Sequence, residues 1–155
     1  MSTIADRMAA AFKEVTGLSF APSDDRRIST ERFIVTAYRE PASRRYTFKA
    51  ERFIMDSTGR VMVAESEADC TSVRAMVGVM READRRAQVL RGVSDRLAED
   101  GWTIDPMIGD LGSGITAHRA GVAVMIHSDG RAVSSNLMAQ IYAEAVVRVV
   151  ENDVL

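Results

Sequence analysis

The chain has 155 residues, of which 46% are hydrophobic and 27% charged, and its formal net charge at pH 7 is −2. These values are typical of one globular domain with a buried core, and they exclude a general electrostatic attraction to nucleic acid or to anionic membranes. The single cysteine, Cys70, excludes an internal disulfide and a multi-cysteine metal site. No signal-peptide pattern or apolar run of about 18 residues is present, so we expect a cytoplasmic protein with no membrane partner.

An amphipathic helix and three strands are predicted for the first 65 residues. A stripe of apolar residues predicts the helix over 3–16, ending at Gly17, and a polar loop over 18–29 follows. Alternating apolar residues then predict three strands, over 31–40, 45–55 and 60–65.

Two local features are predicted within this strand region. In the second strand the alternation changes phase near Glu51 and Arg52, which indicates a β-bulge. The segment 56–59, Asp-Ser-Thr-Gly, is typical of a hairpin turn, and we expect Gly59 to adopt a positive φ.

The run over 72–100 predicts one long helix. Small and apolar residues recur there at steps of three and four, and a continuous helix of roughly 28 residues would be about 42 Å long. The alternative is a strand up to Met80 followed by a helix from Asp84, because valines alternate over 73–79. The unbroken heptad spacing favours the single helix. We predict that its seam packs partly on the sheet and partly on a second subunit, with the interface residues Met76, Met80, Ala83, Ala87 and Leu90.

The second half of the chain predicts an edge strand and a hairpin. After Gly101 ends the long helix, Pro106 marks the strand over 102–107 as an edge strand, and we expect Trp102 to be mostly buried. A flexible glycine-rich loop follows. The loop is predicted over 109–114, and the two hairpin strands over 115–119 and 122–127. A further short strand is predicted over 131–133.

A C-terminal helix is predicted after this short strand. Ser134 or Ser135 supplies its N-terminal cap. Its predicted buried stripe is Met138, Ile141, Tyr142, Ala145, Val146 and Val149.

The element order α-βββ-α-βββ-α predicts a single α+β domain over 1–155. Antiparallel sheets would pack on the long central helix and on the two terminal helices. This element order resembles that of type III secretion chaperones, which are small, acidic and dimeric. The resemblance covers the element order, and it implies a secretion-chaperone-like dimer.

The candidate catalytic residues do not form a recognised pattern. The loop over 109–114 lacks the following helix and the lysine of a phosphate-binding P-loop. His118 and His127 both lie on the predicted hairpin, where a small enzyme could place its site, but a metal ion would need ligands beyond the turn residues Asp110 and Asp129. We therefore predict no catalytic residue, no metal site and no cofactor.

Arginines and aromatic residues are interleaved across 24–60. Arginine binds phosphate in a bidentate geometry and aromatic rings stack on bases, so nucleotide or nucleic-acid binding is an alternative function. The segment 44–53 lacks the glycines of an RNA-recognition motif, which favours core aromatics beside solvated arginines. The candidate ligand-binding residues are Arg44, Arg45, Tyr46 and Phe48.

The favoured prediction is a non-enzymatic binding or adaptor protein that acts as a homodimer and contacts a partner protein. Nine methionines, which allow adaptable apolar contacts, and the length of the central helix support it. The alternatives are nucleotide or nucleic-acid binding through 26–60, a secretion-chaperone-like protein, and a small enzyme with a site near His118 and His127.

Overall fold

The structure is a computed structural model that describes residues 2–39, 41–107 and 113–154. Within these ranges it confirms the α+β class, with α-helices and two antiparallel sheets. No helix in the described part of the chain is both long enough and apolar enough to cross a bilayer. The helices are α1 (Ile4–Thr16), α2 (Met76–Glu99) and α3 (Leu137–Val154). The strands are β1 (Ala21–Asp24), β2 (Arg27–Ser29), β3 (Phe33–Tyr38), β4 (Tyr46–Met55), β5 (Val61–Cys70), β6 (Thr103–Pro106), β7 (Gly114–Arg119), β8 (Val122–His127) and β9 (Ala132–Val133).

Each sheet is built from strands that are consecutive in sequence. The first has the order β1-β2-β3-β4-β5 and the second the order β6-β7-β8-β9. The predicted loop over 18–29 is wrong, because β1 and β2 form a hairpin there and Ile28 pairs with Val35 of β3. All four side chains of β1 are exposed, so this strand is held by backbone pairing and carries no alternation that the sequence analysis could detect.

The chain divides into two compact units. Unit 1 comprises Met1–Arg52 and Ser66–Ala83, and unit 2 comprises Phe53–Glu65 and Asp84–Leu155. The chain passes from one unit to the other within β4, β5 and α2, so no linker separates the units in sequence.

The pairing of β4 with β3 contains no bulge near Glu51 and Arg52, contrary to the prediction. The pairing of β3 with β4 runs without a shift from Phe33 opposite Arg52 to Tyr38 opposite Thr47. Arg52 occupies a buried position in the regular alternation, and its guanidinium lies 5.2 Å from the centroid of the Phe33 ring. A cation–π contact thus accommodates a charged residue at a core-facing position, and this charged residue produced the apparent change of phase.

The hairpin turn at Asp56–Gly59 is confirmed, with Gly59 at φ 86°. One carboxylate oxygen of Asp56 accepts hydrogen bonds from the backbone N–H of Thr58 at 2.9 Å, the Thr58 hydroxyl at 2.7 Å and the backbone N–H of Arg60 at 2.8 Å. Burial by itself raises the pKa of Asp56, but these hydrogen bonds outweigh it and the pKa is lowered. Asp56 therefore holds the turn in its ionised form.

The long helix is confirmed, and the alternative strand up to Met80 is wrong. A short 3-10 turn, Val73–Ala75, is capped by the Ser72 hydroxyl and leads directly into α2. The predicted interface side chains are at most 3% exposed. Met76, Met80 and Ala83 lie in the core of unit 1, and Ala87 and Leu90 lie in the core of unit 2. A second copy of the folded chain cannot reach them, so self-association stays a prediction and needs another surface.

The predicted hairpin in unit 2 is confirmed by the pairing of β7 with β8, and β6 is the predicted edge strand. Of the predicted loop over 109–114, only Ser113 and Gly114 belong to the described residues. Gly114 has φ 135°, and a Cβ there would lie 2.2 Å from the carbonyl oxygen of Ile126. Only glycine fits this close approach of the two strands.

The start and the buried face of α3 differ from the prediction. Asn136, rather than Ser134 or Ser135, caps the helix, because its side-chain oxygen accepts a hydrogen bond from the N–H of Ala139 at 3.0 Å. The stripe that packs into the core is Ala139, Ala143, Val146, Val147 and Val150. Of the predicted stripe, only Val146 is buried, and Met138, Ile141 and Val149 are exposed. Apolar residues lie on two sides of α3, so periodicity could not indicate which side is buried.

Candidate functional site

A pocket of about 720 Å³ in unit 2 has an aromatic wall. Trp102 and Tyr142 stack with their ring centroids 6.2 Å apart and their planes inclined by 14°. The Tyr142 hydroxyl donates a hydrogen bond to the Asp100 carboxylate, which orients the ring. Trp102 packs against the core of unit 2 with most of its surface buried, as predicted, and the pocket thus has a flat apolar surface beside a carboxylate.

An acidic and a basic residue, Asp100 and Arg119, both line this pocket. Arg119 is the last residue of the hairpin strand β7, and its Nη1 donates to the backbone carbonyl of Asp100 at 2.7 Å. Asn136 and the exposed Met138 contribute the lining from the start of α3. Such a pocket suits an apolar group that carries a polar end.

The outward side of α3 extends from this pocket. Leu137 is 69% exposed, Met138 74% and Ile141 50%, and Val149 is also exposed two turns further along. Ala145 lies exposed between Ile141 and Val149. We refer to these five side chains as the α3 face. It is an uncharged strip on a helix whose opposite side is buried in the core of unit 2.

A second concave site, which we call the basic cleft, lies in unit 1 and has a volume of about 640 Å³. Its residues come from the β1–β2 turn, the end of β3, the loop that follows β3, and outward positions of β4 and β5. They are Arg26, Tyr38, Arg39, Ser43, Arg45, Thr47, Lys49, Glu67 and Asp69. Among the residues that the structure describes, four cationic side chains and two carboxylates therefore line this cavity.

Tyr46 fixes one of these arginines. Its hydroxyl oxygen accepts hydrogen bonds from Arg7 Nη2 at 2.7 Å and from Arg39 Nη1 at 2.9 Å. The hydrogen bond from Arg7 is the main cause of a lowered pKa of Tyr46, and burial opposes it. Arg39 also donates through Nε to the carbonyl of Ser43 at 2.6 Å, so its guanidinium is held at the edge of the cleft.

The structure separates the four predicted ligand-binding residues. Arg45 lines the basic cleft, whereas Arg44 is exposed and is not part of its lining. Tyr46 and Phe48 are buried in the core of unit 1, so no ligand can stack on them in the folded chain. The exposed ring of this strand pair is Tyr38, which the alternation in β3 places on the opposite side from Val35 and Ala37.

The hairpin does not bring the two histidines together. His118 pairs with Ala123 and His127 pairs with Gly114, so they lie at opposite ends of the hairpin. Their separation is four residues along the strands, roughly 13 Å at about 3.3 Å per residue. In the described ranges, no three His, Cys, Asp or Glu side chains are arranged to hold a metal ion.

His118 instead lies in an exposed cluster with Asp105 and Arg60. Its Nε2 lies 3.3 Å from Asp105 Oδ2, and Arg60 Nη1 lies 2.6 Å from Asp105 Oδ1. The hydrogen bond from Arg60 is the main cause of the lowered pKa of Asp105. Arg60 and the imidazole of His118 therefore each contact one oxygen of Asp105, and exposed contacts of this kind contribute little to stability.

Comparison of the chain with protein-family models, with curated protein sequences and with solved structures finds no match in any of the three, so the pocket, the α3 face and the basic cleft are interpreted from their own geometry.

Proposed function

We propose that this chain is a non-enzymatic binding protein that acts as a homodimer, and that the α3 face is its interface. The observation that carries the proposal is the exposure of Leu137, Met138 and Ile141 on a helix whose other side is already buried. Contiguous exposed apolar patches larger than a few hundred Å² are uncommon on monomers and mark interaction surfaces. Unlike the seam of α2, this surface is accessible to a second copy.

The sequence of α3 favours a second copy as the occupant. Ala145 lies in the middle of the strip, where a small side chain allows two helices to approach closely. Glu144 and Arg148 lie one turn apart along the same edge of the strip and carry opposite charges. In an antiparallel helix pair with its twofold axis between these two positions, Glu144 of each copy faces Arg148 of the other. These two charges are thus complementary across the twofold axis.

The size of the strip sets the expected affinity. An interface formed by one helix from each copy lies at the small end of specific interfaces. Association must also overcome the lost translational and rotational freedom of the two copies. We therefore expect a reversible dimer with a dissociation constant in the roughly micromolar range.

Binding of a further protein is the adaptor part of the proposal. The pocket of unit 2 supports it, because the aromatic wall of Trp102 and Tyr142 continues into the exposed side chain of Met138. Methionine adapts to differently shaped apolar partners. A dimer that binds a protein is also what the resemblance to type III secretion chaperones implies.

The dimer is tested by solution mass at several protein concentrations. We expect the mass to rise from one copy to two, and Ile141→Arg to keep the chain monomeric, since it buries a charge in the interface. Leu18→Arg is the matched control, because Leu18 is an exposed apolar residue of unit 1. Glu144→Arg should weaken the dimer, and adding Arg148→Glu should restore it. A wild-type monomer at every concentration, or a dimeric Ile141→Arg variant, contradicts the proposal.

A further inference from the structure

We propose that the basic cleft of unit 1 binds a nucleoside phosphate. Counted over the described residues, its four cationic side chains and two carboxylates give it a net charge of +2, whereas the whole chain has a net charge of −2. Because the net charge of the cleft is opposite in sign to that of the chain, small anions are concentrated at this surface of an acidic protein. All lining residues belong to unit 1, so the inference is independent of the dimer proposed for α3 of unit 2.

Arg39 is the phosphate-binding group of this cleft. Its Nε and Nη1 atoms are occupied by the Ser43 carbonyl and the Tyr46 hydroxyl, and among the described residues no hydrogen bond from Nη2 is found. A guanidinium held in this way loses little side-chain entropy when it binds, and its planar donors match phosphate oxygens. Arg26 and Arg45 are exposed beside it and add positive charge.

Tyr38 is the stacking surface for the base. Its side chain is half exposed, and no other aromatic ring of the described residues stacks on it. Tyr38 and Arg26 also line an adjoining cleft of about 500 Å³, so the ring borders open space on more than one side. A purine or pyrimidine has a flat face that fits such a ring.

The carboxylates distinguish a nucleoside phosphate from a simpler anion. The Thr47 hydroxyl donates to Asp69 Oδ1 at 2.6 Å, which holds this carboxylate in the wall of the cleft, and Glu67 lies two residues earlier on β5. Carboxylate oxygens accept hydrogen bonds from ribose hydroxyls. They also repel a chain of phosphates, and the cavity volume is that of a small-molecule site. The cleft therefore favours a mononucleotide over single-stranded nucleic acid.

Calorimetric titration of the full chain with AMP, GMP and UMP tests the proposal, with adenosine, inorganic phosphate and an oligothymidylate as comparison probes. We expect the mononucleotides to bind at least about tenfold more tightly than adenosine or phosphate, since only they use both Arg39 and Tyr38. Binding should weaken as salt is added, because part of the affinity is ionic.

Three variants locate the site. Tyr38→Leu should weaken AMP binding by about one order of magnitude and leave phosphate binding unchanged. Arg45→Gln should weaken the binding of AMP and of phosphate but not of adenosine. Arg44→Gln is the matched control, because Arg44 is adjacent and exposed but lies outside the cleft. All three positions are at the surface, and a thermal melt confirms that each variant is folded.

Four results would overturn the inference. These are the absence of mononucleotide binding at millimolar concentration, phosphate binding as tight as AMP binding, oligothymidylate binding tighter than that of the mononucleotides, and equal losses for Arg44→Gln and Arg45→Gln. Oligothymidylate preference would indicate a nucleic-acid surface instead. None of these results affects the solution mass that tests the α3 interface, so the two proposals fail separately.

Discussion

Leu90 and Leu137 provide a matched test of which helix surfaces are core and which are exposed. Leu90 on α2 is 1% exposed, and Leu137 on α3 is 69% exposed. Leu90→Ala removes buried methyl groups and leaves a cavity, which costs about 2–5 kcal/mol of unfolding free energy. The same substitution at an exposed site changes stability by less than about 0.5 kcal/mol.

Thermal and urea unfolding measure the difference. For a chain of this length each 1 kcal/mol corresponds to about 2–4 °C in Tm, so Leu90→Ala should lower Tm by about 5–15 °C. Leu137→Ala should leave the Tm of the monomer almost unchanged. Far-ultraviolet circular dichroism and the emission of Trp102, which lies in the same unit as Leu90, should report the same transition.

The assignment of Leu90 to the core is refuted if Leu90→Ala lowers the unfolding free energy by less than about 1 kcal/mol, because a cavity in a packed core lowers it by more than that. It is also refuted if Leu90→Ala stays fully stable and lowers the solution mass, since the seam of α2 would then be an interface. The Tm deficit of Leu90→Ala should be the same at all protein concentrations, whereas a deficit at an interface depends on concentration.

Three other substitutions test local features of unit 2. Gly114→Ala should destabilise unit 2, because the new Cβ would lie 2.2 Å from a carbonyl oxygen of β8, and faster amide hydrogen exchange in β7 and β8 would show it. The pKa of Asp56 is lowered in the folded chain, so its ionised form contributes stability above the unfolded pKa, and this is lost as the pH falls below the ordinary value of about 3.9. Asp56→Asn should therefore lower the unfolding free energy at neutral pH, and the unfolding free energy of this variant should fall less steeply as the pH is lowered. Urea unfolding at several pH values measures both effects. Tyr142→Ala should shift the emission of Trp102 to longer wavelength, because it uncovers one face of the indole; unchanged emission would argue against the stacked wall.

Local chemistry was sufficient to predict several elements from the sequence. The Asp56–Gly59 turn depends on hydrogen bonds within five residues and on a positive φ at its glycine, so its signal lies in a short segment. The continuity of α2 followed from heptad spacing, which a helix satisfies and a strand does not. The β7–β8 hairpin likewise followed from two alternating runs joined by a short turn.

Features that depend on distant partners were not predictable from local patterns. The alternation of β4 contains Arg52 at a buried position, where its guanidinium lies over the Phe33 ring of the neighbouring strand. The hairpin of β1 and β2 has exposed side chains in β1 and is held through backbone pairing, which leaves no hydrophobic period. The basic cleft joins residues as far apart in sequence as Arg26 and Asp69, and strand pairing alone makes them neighbours.

The sequence by itself determined the α+β class, the long helix and the turns, because each depends on interactions between residues close together in the chain. The tertiary structure decided which apolar surfaces are covered. On α2 it buried the seam that the sequence predicts to be an interface, and on α3 it exposed Met138, Ile141 and Val149, which the sequence predicts to be core. The physical reason is that hydrophobic periodicity identifies apolar faces of a helix, whereas the partner that buries a face is supplied by the rest of the fold.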